Sequence, residues 1–145
     1  MGAQLTVRDP ELKALLGDLQ VVAVVGLSSK PNRPSLSVTR YLQEHGYRIV
    51  PINPQETEIL GERAYPTLLD VPGDTGIEVV DVFRRPEHTP EIARQAVQIG
   101  AKLLWLQEGI VNEEAARIAT EGGLDVIMGV CIRHVRDALM GWEDR

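Results

Sequence analysis

The residues best suited to chemistry lie in one short stretch, Gly26-Leu-Ser-Ser-Lys-Pro-Asn-Arg-Pro-Ser35. A glycine turn that feeds a helix N-terminus leaves backbone N–H groups without partners. Those groups and the helix dipole both favour an anion, so the chemistry indicated is phosphate binding. Ser28, Ser29 and Ser35 add hydroxyl donors, and Lys30 and Arg33 add positive charge. The stretch is not G-x-G-x-x-G, because Ser28 and Pro31 stand at the second and third glycine positions. It also lacks the Gly-Lys-Ser/Thr of a P-loop. A tight turn of an ordinary α/β fold is the competing reading.

Charge distribution supports the phosphate reading. The chain has 145 residues and a formal net charge of −6, yet Leu19 to Gln43 contains no Asp or Glu and carries Lys30, Arg33 and Arg40. A positive island on an acidic protein is what a phosphorylated ligand requires, and the overall charge argues against nucleic acid as the main partner. The plainer account is chance clustering on a solvated face.

Four other places are chemically notable. Asn53-Pro54 stands where a protein that binds NAD through its ribose normally carries Asp or Glu, and a pre-proline turn explains Asn53 equally simply. Arg84-Arg85 could meet phosphate bidentately or pair with surface carboxylates. Gln107-Glu108-Gly109 places an amide and a carboxylate beside a glycine that permits close backbone approach. Cys131 could approach a ligand or be an inert buried thiol. His45, His88 and His134 are scattered without ligand spacing, so no metal site is indicated, and there is no G-x-S-x-G elbow. His45 is read as a helix-closing residue.

The elements that must position these residues follow from periodicity. Gln20–Gly26 is a continuous apolar run too short for a helix, which reads as a strand buried on both faces, and Tyr47–Ile52, Ile77–Phe83, Lys102–Gln107 and Leu124–Met128 read as four further strands. Helices lie between them. Asp9-Pro10 opens the first and Gly17 closes it; Leu36–His45 forms the second, with Gly46 after it. Thr89-Pro90-Glu91 and Asn112-Glu113-Glu114 open two more, and Ile132–Met140 forms the last. Glu56 to Gly76 is expected to be irregular, with one short turn near Leu68. Alternating strands and helices predict a Rossmann-like, doubly wound five-stranded parallel sheet with helices on both faces. Such sheets bind ligands beyond the carboxyl ends of their strands, which is where each notable residue falls.

Composition sets the remaining bounds. Hydrophobic residues make up 43% and charged residues 25%, a globular balance expected to form one domain over residues 1–145. One cysteine excludes a disulfide framework. No apolar run approaches a membrane span, and the charged first turn is unlike a signal peptide, so a cytoplasmic protein is expected. Met1-Gly2 with Thr6 fits a short acylation pattern that lacks a polybasic second signal. Trp105 is expected in the core, and Trp142 against the sheet or another subunit.

Taken together, the segments Val22–Ser28, Lys30-Pro31, Arg33–Ser35, Tyr41-Leu42, Gly46-Tyr47, Pro51–Pro54, Ile59–Gly61, Val80–Arg84, Trp105–Gln107 with Gly109, and Asn112-Glu113 with Ala115 resemble the small stand-alone CoA-binding proteins of bacteria. That family is similar to the CoA-binding N-terminal domain of the succinyl-CoA synthetase α subunit. The match runs from about Leu12 to Cys131. It implies coenzyme A or acyl-CoA as the ligand, with Gly26, Ser28, Ser29 and Lys30 forming a phosphate-facing turn supported by Arg33 and Ser35. Asn53 and Pro54 would flank the nucleotide, Val82, Phe83 and Arg84 would line the next edge, and Gln107, Glu108 and Gly109 would lie near the pantetheine arm. Leu27, Val82 and Phe83 would supply an apolar channel for that arm. Met128-Gly-Val-Cys131 replaces the family's frequent Met-Asp-Arg-Cys, so two charged groups are missing there.

Coenzyme A fits the residues read alone: it is polyanionic, and its 3′-phosphate would repel an acid at the ribose. The expectation is a non-catalytic binding module, since the resemblance supplies no counterpart to the synthetase's ligase domain. Two alternatives stay open. One is an NAD(P)-binding redox enzyme or regulator with Glu108 as base or Cys131 as nucleophile. The other is an interaction protein that binds no nucleotide. A small-molecule nucleotide is the expected partner, with neither nucleic acid nor membrane; a homo-oligomer or an unknown protein partner is left open.

Overall fold

The computed structural model describes residues 1–141; the expectation for Trp142 lies outside them. In chain order the elements are α1 (Glu11–Asp18), β1 (Val21–Val25), α2 (Pro34–Glu44), β2 (Arg48–Ile52), β3 (Glu58–Ile59), β4 (Glu62–Arg63), β5 (Val79–Val82), α3 (Thr89–Gln98), β6 (Leu103–Glu108), α4 (Glu113–Glu121), β7 (Asp125–Gly129) and α5 (Ile132–Met140). The five long strands form one parallel sheet in the order β2-β1-β5-β6-β7. The fold is therefore the Rossmann-like α/β sheet expected.

Alternation along each strand feeds two apolar layers. Val22 and Val24 of β1 join Leu12, Leu42, Trp105 and Ile132 beneath α1, α2 and α5. Ala23 and Val25 join Val80, Leu104, Ala93 and Ala115 beneath α3 and α4. Trp105 is fully buried and donates its indole N–H to the Val130 carbonyl at 2.8 Å. His45 sits at the end of α2, with its Nδ1 2.8 Å from the Tyr41 carbonyl oxygen, in the structural place expected.

The strand order reverses at β1. From β1 the chain crosses to β2 on one side, then returns to lay β5 on the other, and loops leaving neighbouring strands in opposite directions open a crevice. The amide of Gly26 donates to the Ile52 carbonyl at 3.1 Å, and that of Phe83 to the Val25 carbonyl at 2.8 Å. The ends of β1, β2 and β5 are thus tied together around Gly26.

Three local expectations are corrected. Regular α1 begins at Glu11 after Pro10, and the Asp9 carboxylate instead accepts the Thr6 N–H at 2.6 Å. Gly17 lies inside the last turn, and the helix ends where Leu19 turns extended. The stretch from Glu56 to Gly76 is more ordered than expected. It holds the β3–β4 hairpin and two 3₁₀ turns, Leu68–Asp70 and Gly73–Thr75, the first closed by a Thr67–Asp70 capping box. The hairpin was hidden because its two turn residues are Leu60 and Gly61, both at positive φ (54° and 79°). Such a turn normally calls for Asn-Gly. Leu60 takes the strain while packing on the core below α2, where its carbonyl accepts from Gln43 at 3.1 Å. Finally, the chain start lies along β7: Gln4 bridges Val126, and backbone bonds run from Leu5 N to Val126 O and from Val126 N to Ala3 O. No helix among the described residues is long and apolar enough to cross a membrane.

Candidate functional site

The turn after β1 is built around a close approach. Gly26 has φ 87°, and a Cβ there would sit 2.7 Å from the Phe83 carbonyl oxygen. Only glycine meets both demands. Beyond it the turn braces itself: the Ser28 N–H donates to Ser35 Oγ and the Lys30 N–H to Ser28 Oγ, each at 3.2 Å. Ser35 is buried, so it supports the turn from inside. Asn53 braces from the side. Its Nδ2 donates to the Leu27 carbonyl at 2.9 Å, and its Oδ1 accepts the N–H groups of Gln55 (2.7 Å) and Glu56 (3.2 Å).

One N–H of the turn already holds an anion. Ser29 N–H donates to Glu56 Oε2 at 3.1 Å. The Ser29 hydroxyl and N–H, with nearby Lys30, hold the Glu56 carboxyl below its usual range. The positive island is therefore answered in space by a carboxylate 27 residues away in sequence. Sequence reasoning missed Glu56 because nothing local marks that reach. The other cations are less engaged. Arg33, at the N-cap of α2, and Arg84, after β5, make no ion pair with any described residue, whereas Arg85 lies 3.9 Å from Glu87. The structure thus separates two arginines that sequence alone treats alike.

Two hollows flank the turn on opposite sides. The larger, about 500 Å³, is lined by Gly26, Asn53, Pro54, Thr67, Arg84 and His88 among others. The smaller, about 210 Å³, lies between Pro34, Val38, Phe83, Gln107, Glu108 and Ile110, with Cys131 at its wall. The expected apolar channel is built differently from the expectation. Leu27, in the turn beyond β1, and Val82, in the doubly covered strand β5, are both fully buried in the core. Phe83 lines the smaller hollow, joined by Pro34, Val38 and Ile110. Gly109 follows at the exposed end of β6, with φ 81° and open space beside it.

Beneath the smaller hollow is a polar pair that sequence reasoning also missed. Gln107, nearly fully buried, donates Nε2 to Asp81 Oδ1 at 2.6 Å. Asp81 is wholly buried, its Oδ2 has no hydrogen-bond partner among the described residues, and burial pushes its pKa up to about 7, against the lowering effect of Gln107. A lone carboxylate within the apolar run Val79–Phe83 was the signal available. Cys131 is half-buried at the N-cap of α5 with a free thiol.

Residues 20–136 match the family model described as a CoA binding domain. The chain belongs to this CoA-binding domain family. Among its relatives, the uncharacterized protein YneT of Bacillus subtilis is 42% identical over 123 residues, 85% of this chain and 90% of YneT. The α subunit of an ADP-forming acetate–CoA ligase from Pyrococcus furiosus is 31% identical over 121 residues, 77% of this chain but 26% of the subunit. A hypothetical protein of known structure from Pyrococcus horikoshii superposes with a TM-score of 0.87 at 39% identity, covering 94% of each chain. A dinucleotide forming acetyl-coenzyme A synthetase from Ca. Korarchaeum cryptofilum superposes at 0.68 with 26% identity, over 81% of this chain and 27% of that one. The resemblance read from the sequence is thus borne out twice: in stand-alone relatives of similar length, and in ligases of which this chain matches about a quarter.

Proposed function

We propose that the chain binds coenzyme A or an acyl-CoA as a non-catalytic module. The diphosphate rests on the Gly26–Lys30 turn before α2. The adenosine end lies in the larger hollow beside Pro54 and Arg84. The pantetheine arm passes Phe83 toward Gln107, Glu108 and Gly109. The observation that carries this reading is the carboxylate of Glu56 on the Ser29 N–H. An oxyanion already fits the turn at hydrogen-bond distance, with Lys30 beside it, and Arg33 and Arg84 have charge to spare for a ligand with more phosphate than one carboxylate can replace. Asn53 supports CoA over NAD(P). Its Oδ1 accepts two backbone N–H groups and its Nδ2 donates to the Leu27 carbonyl and, at 3.4 Å, to Glu56 Oε2, which leaves little of the amide for a ribose diol.

Calorimetry on the variant Lys30→Ala/Arg33→Ala tests the proposal. CoA binding should weaken at least about tenfold and lose much of its salt dependence, with the melting temperature nearly unchanged, because both side chains are exposed. Equal binding by wild type and variant overturns the phosphate placement. A competition in which NAD(P) displaces CoA with higher affinity overturns the choice of ligand.

A further inference from the structure

A third hollow, of about 360 Å³, opens where the 210 Å³ hollow ends; Glu108 and Cys131 line both. Like the smaller hollow, it is mostly apolar. Val7, Val130, Val135, Ala138 and Leu139 form most of its wall, with α5 as one side and the chain start as the other. The wall carries one carboxylate, Glu108, and one imidazole, His134, and no lysine or arginine. Val7 is 45% exposed although apolar. An apolar hollow continuous with the end of a ligand channel needs an apolar occupant that arrives through the channel.

We propose that this hollow receives the acyl group of an acyl-CoA, and that the group is apolar and derived from a monocarboxylic acid of medium length. The inference rests on the CoA reading above. The pantetheine arm, running past Phe83 and Gln107, delivers its sulfur to the junction at Glu108 and Cys131. A thioester there is uncharged and tolerates the neighbouring carboxylate, whereas a thiolate is repelled by it. Beyond the sulfur, methylenes leave water for Val130, Val135 and Leu139. A dicarboxylic acyl group would bring a second carboxylate beside Glu108 into a mostly apolar wall whose one polar partner is the exposed His134 imidazole, so succinyl gains nothing over CoA.

The test is calorimetric titration of the protein with CoA, octanoyl-CoA and succinyl-CoA. Octanoyl-CoA should bind about tenfold tighter than CoA, and succinyl-CoA no tighter than CoA. Ala138→Trp, at an exposed helical position where folding is checked by thermal melting, fills the hollow. It should erase the octanoyl advantage and leave CoA affinity unchanged. Val7→Asp, which brings a charge to the rim from a different segment, should do the same. The proposal fails if CoA binds and octanoyl-CoA binds no better, or if the advantage survives both substitutions. It also fails if light scattering shows a wild-type dimer that Val7→Asp converts to monomer, which would assign the apolar wall to a second copy of the chain. If CoA itself does not bind, the ligand reading falls first and this inference with it.

Discussion

Two charged side chains lie fully buried on the same side of the sheet, and the fold treats them in opposite ways. Arg136 of α5 is closed in by phenols: its Nε donates to the Tyr47 hydroxyl and its Nη1 to the Tyr41 hydroxyl, each at 3.2 Å. Tyr41 in turn donates to Asp137, and Tyr47 to the Leu16 carbonyl. The network ties α1, α2, the start of β2 and α5 together. Asp81 has one bond, from Gln107, and an oxygen with nothing to receive. A buried polar group that is satisfied specifies packing, and one that is half-satisfied costs stability. The difference follows position. Arg136 braces helices against the sheet; Asp81 lies beneath the smaller hollow, bonded to a residue, Gln107, that lines it.

That contrast can be broken most forcefully at Arg136. Arg136→Ala removes the donor from which both phenols accept and opens a void, and should destabilise by about 3 kcal/mol in urea denaturation, with CoA affinity per folded molecule retained. A loss under about 1 kcal/mol would mean the network does not specify packing.

Asp81 predicts a smaller effect with a distinctive pH signature. Its carboxyl is raised in the folded state, so the folded chain keeps a proton that the unfolded chain has released at higher acidity. Stability therefore falls as pH rises from about 4 through about 7 and levels off above it. Between pH 5 and pH 8 the loss should approach about 2 kcal/mol. Asp81→Asn keeps an acceptor for Gln107 and removes the ionisation, so the same pair of denaturation curves should differ less and the variant should be the more stable at pH 8. Identical pH slopes in both proteins would place the titration elsewhere.

At the ligand edge itself, Glu56 competes with the proposed phosphate for the Ser29 N–H. Glu56→Gln should tighten CoA binding severalfold, by about 1 kcal/mol, with the gain greatest at low salt. Weaker binding would make Glu56 a ligand contact rather than a competitor. The smallest change sharpens the closed side: Tyr47→Phe removes one of the hydroxyls accepting from Arg136 and should cost about 1 kcal/mol with no effect on CoA affinity.

The fold was legible because its strands are short apolar runs bounded by turn residues, too short for helices, that alternate with capped helical stretches. The turn at Gly26 was legible because it is built largely from backbone, and glycine, serine and proline report backbone directly. Residues acting across long separations were not. Glu56 reaches Ser29 only after β2 is paired to β1. Asp81 is marked by its neighbours alone, and its partner lies on another strand. Val82 was misplaced because membership of a strand end says nothing about which face a side chain takes; Phe83, one residue on, faces the hollow instead.

The short pairing of residues Ala3 to Leu5 along β7 has a bearing on how copies of the molecule meet. That margin of the sheet is occupied by the chain's own start, and the opposite margin, at β2, is bridged by Tyr65 to Ile52. Some of the backbone groups that would otherwise template strand addition are taken at each border, near Val126 on one and near Pro51 and Ile52 on the other. A second copy meeting either margin there would find those groups already engaged.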